Sequence, residues 1–540
     1  MLQTTLSVPL DVKPESAQQL DGLVDQFRRR EDDSQSTNAI NFERLLKGIP
    51  TLHFMSMSVF QDPAYDPIFI IEVNCDGAPG PFWAHLEKLA GNELRDMLRC
   101  CKKPLDHNGK LYDVVTAPGS NAPVAPYLEA MTEPPSVFHH GNRGLARDRI
   151  IKEADLFRSV RTELDSTQKN RYFSLSAAQI HSTLRAQLLP QFSWLDQRPA
   201  PRFTFWERAA DFLRLVAYAA IVWGVLSLPG TLAAQLLPAH IYLVSLAILC
   251  AFFCWLIYRL HEALPDTDVK TNFSLLGALF RHLPAIAVIF LVPLALFLAC
   301  VWFLFAGLQS VFDWSDAWFY RVAEVVSLGS LGLFVVVPGL ILWLRALELG
   351  DSSQYKAQID PVKVADIMQH EDWVSQNHMG SVVHIRPGVL RTLIVKFGHR
   401  GLGLFLRWQA TAGYLGSMRT VHFAHWAFLN NNSRLLFFSN YDQSWGSYLD
   451  DFIEKAHVGL TLAWGCGVGF PPTRFLIYDG ASHGRLFKNW ALASRTVSRF
   501  WVSAYPDLSV DQIERNYRIA KGLSEPHLKP EDADEWARDL

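Results

Sequence analysis

Histidine and aspartate recur at matching places in two distant segments of the chain. The first segment (52–77) reads LHFMSMSVFQDPAYDPIFIIEVNCDG, and the second (421–443) reads VHFAHWAFLNNNSRLLFFSNYDQ. Aligned with each other, they place a histidine near the start and an aspartate near the end: His53 and Asp76 in the first, His422 and Asp442 in the second. An aspartate can serve as a proton-transfer acid. Because the aspartate and the histidine recur in both segments, a role in the repeated fold is favoured for them. In that interpretation each aspartate caps a helix and each histidine is a buried structural residue.

One histidine breaks the match between the two segments. His425 aligns with Ser56, so only the second segment carries an imidazole at this position. A site present on one side only would produce such a difference, and an imidazole in an apolar cavity can ligate a haem iron. The alternative is a structural histidine on an apolar strand.

Two further histidine-containing runs could hold a ligand. The run HHGNRG (139–144) places two histidines and Arg143 at a strand-to-helix turn, which suits an anion and equally a solvated turn. The run EDWVSQNHMG (371–380) holds two acids and His378, with His370 directly before it, but it has no recognised metal-ligand spacing and is interpreted as a polar loop.

The two matching segments have the pattern of β-hairpins. Each has two runs of β-branched and aromatic residues around a turn rich in turn-forming residues. The flanking segments predict the order β-α-β-β-α-β, the ferredoxin-like arrangement, in each half. Its predicted closing strands are LYDVVT (111–116) and GLTLAWG (459–465). PSVFHH (135–140) and WVSAYP (501–506), each before a predicted helix, extend the repeat.

Strands with apolar residues on both faces need cover on both sides. We therefore expect the two modules to pair through their sheets as a pseudo-twofold sandwich or barrel. The predicted fold class is α+β plus membrane α-helical. Its parts are a first ferredoxin-like module at 1–165, a linker with an amphipathic helix at 166–205, four transmembrane helices within 206–347 and a second module at 348–540.

The composition indicates a membrane-embedded part. Of the 540 residues, 49% are hydrophobic and 19% are charged, and the segments 215–258, 282–312 and 325–344 contain no charged residue. Because a membrane helix needs about 20 apolar residues, the sequence predicts four of them. They are placed at about 209–228, 239–258, 284–308 and 322–344, with a break at Pro229-Gly230 between the first two.

An even number of spans puts both soluble parts on the same side of the membrane. Basic residues such as Arg208, Arg259 and Arg345 stand on that side, which the positive-inside rule assigns to the cytoplasm. The N-terminus has no basic stretch followed by an apolar run, so no signal peptide is expected. We expect an integral protein of a bacterial inner membrane. Because charges stand at the ends of the spans, an anchor is favoured over a transporter or channel.

Two ferredoxin-like modules in one chain resemble the α+β barrel superfamily that includes dye-decolourising peroxidases and chlorite dismutase-like proteins. V-N-C-D-G (73–77) is similar to the G-x-x-D-G element of dye-decolourising peroxidases, although valine stands in place of the first glycine. The resemblance implies a haem cofactor, with Asp76 as the proton-transfer acid. His425 would be the haem iron ligand, and His422 and Arg143 would be further cofactor contacts. No arginine or histidine of this chain matches that family's own by motif.

Two functions remain open at this level. One is a membrane-anchored, cytoplasm-facing oxidoreductase of the haem peroxidase type that acts on apolar or lipid-derived substrates. The other is a non-catalytic membrane-anchored module that binds a ligand or a partner protein. The net charge of −3 does not indicate the basic surface that binds nucleic acid, so no nucleic-acid partner is expected. Seven cysteines without zinc-type pairing fit a reduced compartment.

Overall fold

A long helical insertion separates two soluble α+β halves in the computed structural model, which describes residues 3–32, 42–62, 65–165, 172–197, 201–263, 272–312, 315–351, 356–370, 375–409 and 418–540. The N-terminal half contains β1 (Gln3–Asp11), α1 (Ala17–Glu31), α2 (Glu43–Gly48), β2 (Leu52–Phe60), β3 (Ile68–Asp76), α3 (Pro79–Arg99), α4 (Gly109–Thr116), α5 (Ala125–Ala130), β4 (Val137–His140), α6 (Arg147–Leu164) and α7 (Ala177–Leu188). The insertion contains α8 (Phe205–Leu236), α9 (Ala239–Leu260), α10 (Leu275–Phe312), α11 (Asp316–Leu331) and α12 (Leu333–Leu349).

The C-terminal half begins with α13 and ends with α18. Its elements are α13 (Pro361–His370), β5 (Gln376–His384), α14 (Val389–Gln409), β6 (Val421–Leu429), β7 (Arg434–Asp442), α15 (Trp445–Trp464), β8 (Thr473–Arg474), β9 (Tyr478–Asp479), α16 (Gly484–Ser494), β10 (Arg495–Thr496), β11 (Phe500–Ser503), α17 (Val510–Ser524) and α18 (Pro530–Ala537).

Each half builds an antiparallel sheet and lends one strand to the sheet of the other half. The first sheet has the order β1-β3-β2-β11, and the second has the order β10-β5-β7-β6-β4. Strand β4 pairs with β6, so that Phe138 lies opposite His425. Strand β11 pairs with β2, so that Trp501 lies opposite Ser56. Backbone hydrogen bonds in both sheets therefore join the two halves.

The predicted hairpins are present as β2–β3 and β6–β7, whereas both predicted closing strands are wrong. Residues 111–116 lie in α4, and the second run lies almost entirely in α15. Their buried residues have helical spacing: Tyr112 and Val115 in α4, Leu460 and Trp464 in α15. The β-branched and aromatic residues of both runs suggested strands, but packing of one helical face decided the outcome. The strands that complete the sheets are β4 and β11.

Apolar clusters cover the outer faces of both sheets and part of the space between them. Helices α1, α3 and α5 pack on the first sheet, and α14, α15 and α16 pack on the second. Between the sheets, the rings of Phe60 and Phe438 lie 6.0 Å apart at one end. At the other end, the rings of Phe54 and Phe423 lie 5.5 Å apart. The layer between these two aromatic contacts is polar.

Four helical segments are long and apolar enough to cross a membrane: Phe205–Leu236, Ala239–Leu260, Leu294–Phe312 and Asp316–Leu349. Few of their side chains are buried inside the protein, which is the pattern of surfaces that face lipid. The length and composition of these helices support the prediction of a membrane protein.

The helix breaks lie elsewhere than predicted. Helix α8 continues through Pro229-Gly230 to its end, so the predicted break there is wrong. A Cβ on Gly230 would lie 2.2 Å from the Gly329 carbonyl oxygen. This glycine therefore serves close approach of two helices, a common use of small residues in membranes. The last span is instead interrupted at Gly332, between α11 and α12.

Two ends of the membrane helices are fixed to the soluble part by polar contacts. Near the start of α8, Asp211 pairs with Arg143 of the N-terminal half and Arg407 of the C-terminal half. At the end of α12, buried Glu348 accepts a hydrogen bond of 2.9 Å from the backbone N–H of Leu476. Both soluble halves therefore contact the same end of the helical bundle.

Candidate functional site

A buried carboxylate, that of Glu72, lies in the polar layer between the two sheets. Its side chain has no exposed surface. From its own half it accepts hydrogen bonds from Ser56 Oγ and Asn74 Nδ2, both at 2.9 Å. From the other half it contacts His378 Nε2 at 2.9 Å and accepts from Asn440 Nδ2 at 3.2 Å. A buried charge is tolerated only with partners of this kind.

These partners keep Glu72 ionised. Burial alone raises the pKa of a carboxyl group, but the charge and hydrogen bond of His378, followed by the charge of His425, lower the pKa of Glu72 to about 2. A carboxylate can only accept hydrogen bonds, so Nε2 of His378 carries the proton that it shares with Glu72.

The other ring nitrogen of His378 contacts a serine. His378 Nδ1 lies 2.6 Å from Oγ of Ser498, in the segment between β10 and β11. In the tautomer that carries its single proton on Nε2, Nδ1 is an acceptor and the Ser498 hydroxyl donates to it. The carboxylate orients the imidazole and the imidazole receives the hydroxyl proton, which is how triad hydrolases activate serine. Here the two ring nitrogens have exchanged the partners that they have in chymotrypsin-type triads.

The Glu72–His378–Ser498 relay ends at a partly open pocket of about 170 Å³. The residues that line it are Arg28, Phe42, Ile367, Asn377, His378, Val497, Ser498, Arg499 and Trp501. A pocket of this size holds a group of a few heavy atoms, because pockets for drug-sized ligands occupy roughly 300–1,000 Å³. Its two arginines are each paired with a carboxylate, Arg28 with Asp25 at 3.6 Å and Arg499 with Asp366 at 3.4 Å.

His425 lies in the same polar layer but away from this pocket's lining. Its Nε2 lies 2.7 Å from Ser7 Oγ, and its Nδ1 lies 3.8 Å from the nearer oxygen of Glu72. The ring is buried and packs on Phe438, with ring centroids 5.8 Å apart. Burial lowers the pKa of His425 to about 4, against the opposing effect of Glu72. This imidazole is therefore neutral at neutral pH and supports the layer from within.

Residues that differ between the two halves meet in this layer. Thr5 of β1 lies opposite Asn74, whereas His378 of β5 lies opposite Asn440 at the matching place. Further differing pairs at matching ladder positions in this layer include Ser56 with His425, Glu72 with Phe438, and Ser7 with Gly380. The relay thus forms where the match between the halves is lost.

The recurring histidine–aspartate pairs lie at helix starts instead. Asp76 lies 3.0 Å from His53 Nε2, and Asp442 lies 2.7 Å from His422 Nε2. The second oxygen of each aspartate accepts a backbone N–H at 2.8 Å, from the first residue of α6 and the first residue of α17, respectively. Asp76 therefore caps a distant helix, α6, and not α3, which follows it directly along the chain. These contacts account for both pairs as structural.

The residues expected to hold a haem are spread over separate places. Asp76 and His422 lie at helix starts, and both ring nitrogens of His425 lie beside protein groups. Arg143 lies near the membrane helices, where its Nη2 donates to Asp211 at 2.7 Å. Because these four residues make their contacts at separate places in the described structure, they do not fit a haem as a set, and peroxidase-like activity stays a prediction from the sequence.

Sequence reasoning does not single out Glu72, His378 or Ser498. His378 falls in the run 371–380, which the sequence analysis interprets as a polar loop. Residues 371–374 lie outside the described residues. The second half of the run belongs to β5, so it is a strand and not a loop. Glu72 offers a usable signal, since it is the charged residue of the apolar run IFIIEVN and a charge there needs a partner. A serine before a short strand offers none.

Comparison with known proteins identifies no relative of this chain. No protein-family model matches the chain, and no match is found among curated proteins or solved structures.

Proposed function

We propose that the protein is a membrane-anchored hydrolase or acyltransferase whose nucleophile is Ser498. The observation that carries the proposal is the pair of short contacts from Glu72 to His378 and from His378 to Ser498, 2.9 Å and 2.6 Å long, which ends at a pocket. A serine hydroxyl is a weak nucleophile until a base takes its proton, and a histidine oriented by a carboxylate is such a base.

The order of the three groups suggests the reaction. Ser498 Oγ attacks the carbonyl carbon of an ester or thioester, and its proton passes to Nδ1 of His378. The ionised Glu72 stabilises the resulting imidazolium. His378 then returns the proton to the leaving group as the bond between that group and the carbonyl carbon breaks. Water, or an acceptor hydroxyl, attacks the acyl-serine by the same steps and regenerates Ser498.

The pocket restricts the substrate. Its volume of about 170 Å³ admits a small acyl group or the end of a longer one. Arg28 and Arg499 line it, and their N–H groups would stabilise the oxyanion that develops on the carbonyl oxygen. We therefore propose small esters or thioesters as the substrate class.

We also infer that the soluble halves are diverged copies of one unit, related by a pseudo-twofold axis. Equivalent residues make equivalent contacts: Gln3 Nε2 donates to Leu145 O, and Gln376 Nε2 donates to Leu508 O. The recurring helix caps support the same relation. The ferredoxin-like comparison applies to the order of the first elements of each half, while the fourth strand of each lies in the other's sheet. One copy would supply Glu72, and the other His378 and Ser498.

The membrane helices would anchor this unit at the cytoplasmic face of a bacterial inner membrane. Both soluble halves contact the same end of the bundle, and Arg208, Arg259 and Arg345 stand at that end. An excess of arginine and lysine near span ends is typical of the cytoplasmic side.

A fluorophosphonate probe, which reacts covalently with activated serines, tests the proposed nucleophile. We expect the detergent-purified protein to be labelled at Ser498, as located by peptide mass spectrometry, and Ser498→Ala to abolish the labelling. Ser494→Ala is the matched control, because the Ser494 hydroxyl is nearby in sequence and bonds to Ser381. A folded protein that takes no probe, or takes as much in the Ser498→Ala variant, contradicts the proposal and favours a non-catalytic binding module.

A further inference from the structure

A second pocket, of about 280 Å³, lies where the first membrane helix meets the soluble part. The residues that line it are Gln3, Phe138, His140, Arg143, Phe203, Glu207, Ala210, Asp211, Arg214 and Arg407. None of the three relay residues lines this pocket, so it is a separate site from the one at Ser498.

Arginine dominates the charge of this pocket. Asp211 is buried and accepts from Arg143 Nη2 at 2.7 Å, Arg407 Nε at 2.8 Å and Arg214 Nη1 at 3.2 Å. The other lining acid, Glu207, accepts hydrogen bonds from the N-cap residue of its own helix. Three guanidinium groups thus meet two carboxylates, which leaves an excess of positive charge. The buried aspartate holds two of the arginines in fixed positions.

The pocket lies at the boundary of an apolar span. The charge-free run of α8 begins directly after Arg214, and the hydrocarbon core of a bilayer accepts such a run. The side chains of Trp206, Phe212 and Trp408 are exposed nearby on α8 and α14. Aromatic residues of this kind concentrate at the level of lipid headgroups.

Helix α14 extends the same surface. It packs on the first turns of α8, where Tyr218 Oη donates to Phe397 O at 2.6 Å and the rings of Phe212 and Trp408 lie 5.9 Å apart. Its exposed apolar side chains are those of Val389, Leu393, Phe397, Phe405 and Trp408. Since α8 continues into the membrane, the apolar face of the helix packed beside it has the bilayer as its neighbour.

We propose that this pocket binds the phosphate of an anionic phospholipid headgroup, with the acyl chains along the exposed apolar faces of α8 and α14. Guanidinium groups bind phosphate oxygens through paired N–H donors, which a point charge cannot match. Zwitterionic lipids carry the same phosphate with an added cation, which the surplus arginine charge repels. The site would make the position of the soluble unit, and therefore its activity, depend on lipid composition.

Lipid titration of the full chain in detergent tests this site. We expect phosphatidylglycerol to bind more tightly than phosphatidylcholine, as measured by native mass spectrometry and by the rise in unfolding temperature. Arg214→Gln should weaken phosphatidylglycerol binding about fivefold. This variant leaves Asp211 its two other arginine partners, so the fold is retained. Arg321→Gln is the matched control, because Arg321 is an exposed arginine at the opposite end of the bundle.

The other outcomes overturn the assignment. Equal affinity for phosphatidylglycerol and phosphatidylcholine would show that the pocket does not distinguish anionic from zwitterionic headgroups. A phosphatidylglycerol affinity unchanged in both Arg214→Gln and Arg407→Gln would place any lipid elsewhere. Inorganic phosphate that stabilises the protein as strongly as phosphatidylglycerol would identify a free-anion site and not a lipid site.

Discussion

The Glu72 carboxylate lies 2.9 Å from His378 Nε2, so the two halves of the chain, separated in sequence by the whole membrane part, share one fully buried polar contact. At the matching ladder positions of the other half, Phe438 stands in place of Glu72 and Thr5 in place of His378, so this contact is not repeated. This contact both joins the sheets and sets the orientation of the imidazole that faces Ser498.

Removing one partner of this contact is expected to cost more than removing both. Glu72→Leu leaves the buried N–H groups of His378, Asn74 and Asn440 without their acceptor and should lower the free energy of unfolding by about 1–3 kcal/mol. The double variant Glu72→Leu/His378→Leu also removes the buried imidazole N–H and should be less destabilised than Glu72→Leu. Denaturant unfolding of the purified variants measures the difference. If the destabilisation of the double variant equals the sum of the destabilisations of Glu72→Leu and His378→Leu, the two groups do not interact.

His139 should make the protein sensitive to acid. Among the described residues neither of its ring nitrogens has a hydrogen-bond partner, and burial, with the charge of Arg143, lowers its pKa to about 3. Between its usual pKa of 6.5 and that value, the unfolded chain binds a proton that the folded protein does not. Its stabilising contribution is therefore complete above the usual pKa and is lost as the pH falls, by about 2 kcal/mol from pH 7 to pH 5.

The variant His139→Leu checks this dependence. It should unfold at a similar denaturant concentration near pH 7 and lose less stability than the unsubstituted protein at pH 5. Equal losses of stability in the two proteins would contradict the assignment.

The exchange of strands between the halves predicts a specific cross-link. Met55 of β2 lies opposite Val502 of β11, and Cβ atoms of such pairs are about 4.5–5.5 Å apart, close enough for a disulfide after modest adjustment. Met55→Cys/Val502→Cys should therefore oxidise readily, as detected by mass spectrometry of linked peptides. Met57→Cys/Val502→Cys, with Met57 paired to Phe500 instead, should oxidise more slowly. Absence of the first cross-link would remove the support for two interlocked copies.

The membrane orientation predicts which side chains a reagent outside the cell can reach. Ser315 begins α11 at the end of the bundle away from the soluble part, whereas Glu262 follows α9 at the near end. An impermeant maleimide added to intact cells should label Ser315→Cys and not Glu262→Cys, with the unsubstituted chain as control for its native cysteines. The reverse pattern would place the soluble part outside.

Local patterns predict the membrane spans and hairpins, because each depends on residues close together in sequence. The runs around His53 and His422 alternate in a way that fits strands, and the charge-free runs have membrane length. The errors at 111–116 and 459–465 arise because short apolar runs suit a strand or a helix equally well. The exchange of β4 and β11 depends on contacts between distant segments, which no local pattern encodes.

The site was harder to predict than the fold for the same reason. Glu72, His378 and Ser498 come from three separate strands or turns, and only the register of the ladders brings them together. The His–Asp pairs were more visible because they recur, but recurrence marked structural roles. His425 differs from its counterpart Ser56, but it lies beside the relay and not at its end.

The rate at which a fluorophosphonate reacts with Ser498 tests the central claim most directly. If His378 takes the hydroxyl proton, His378→Gln should lower the second-order rate constant by about 100-fold or more, while the far-UV circular dichroism spectrum stays the same. An unchanged rate constant in that folded variant would contradict the account.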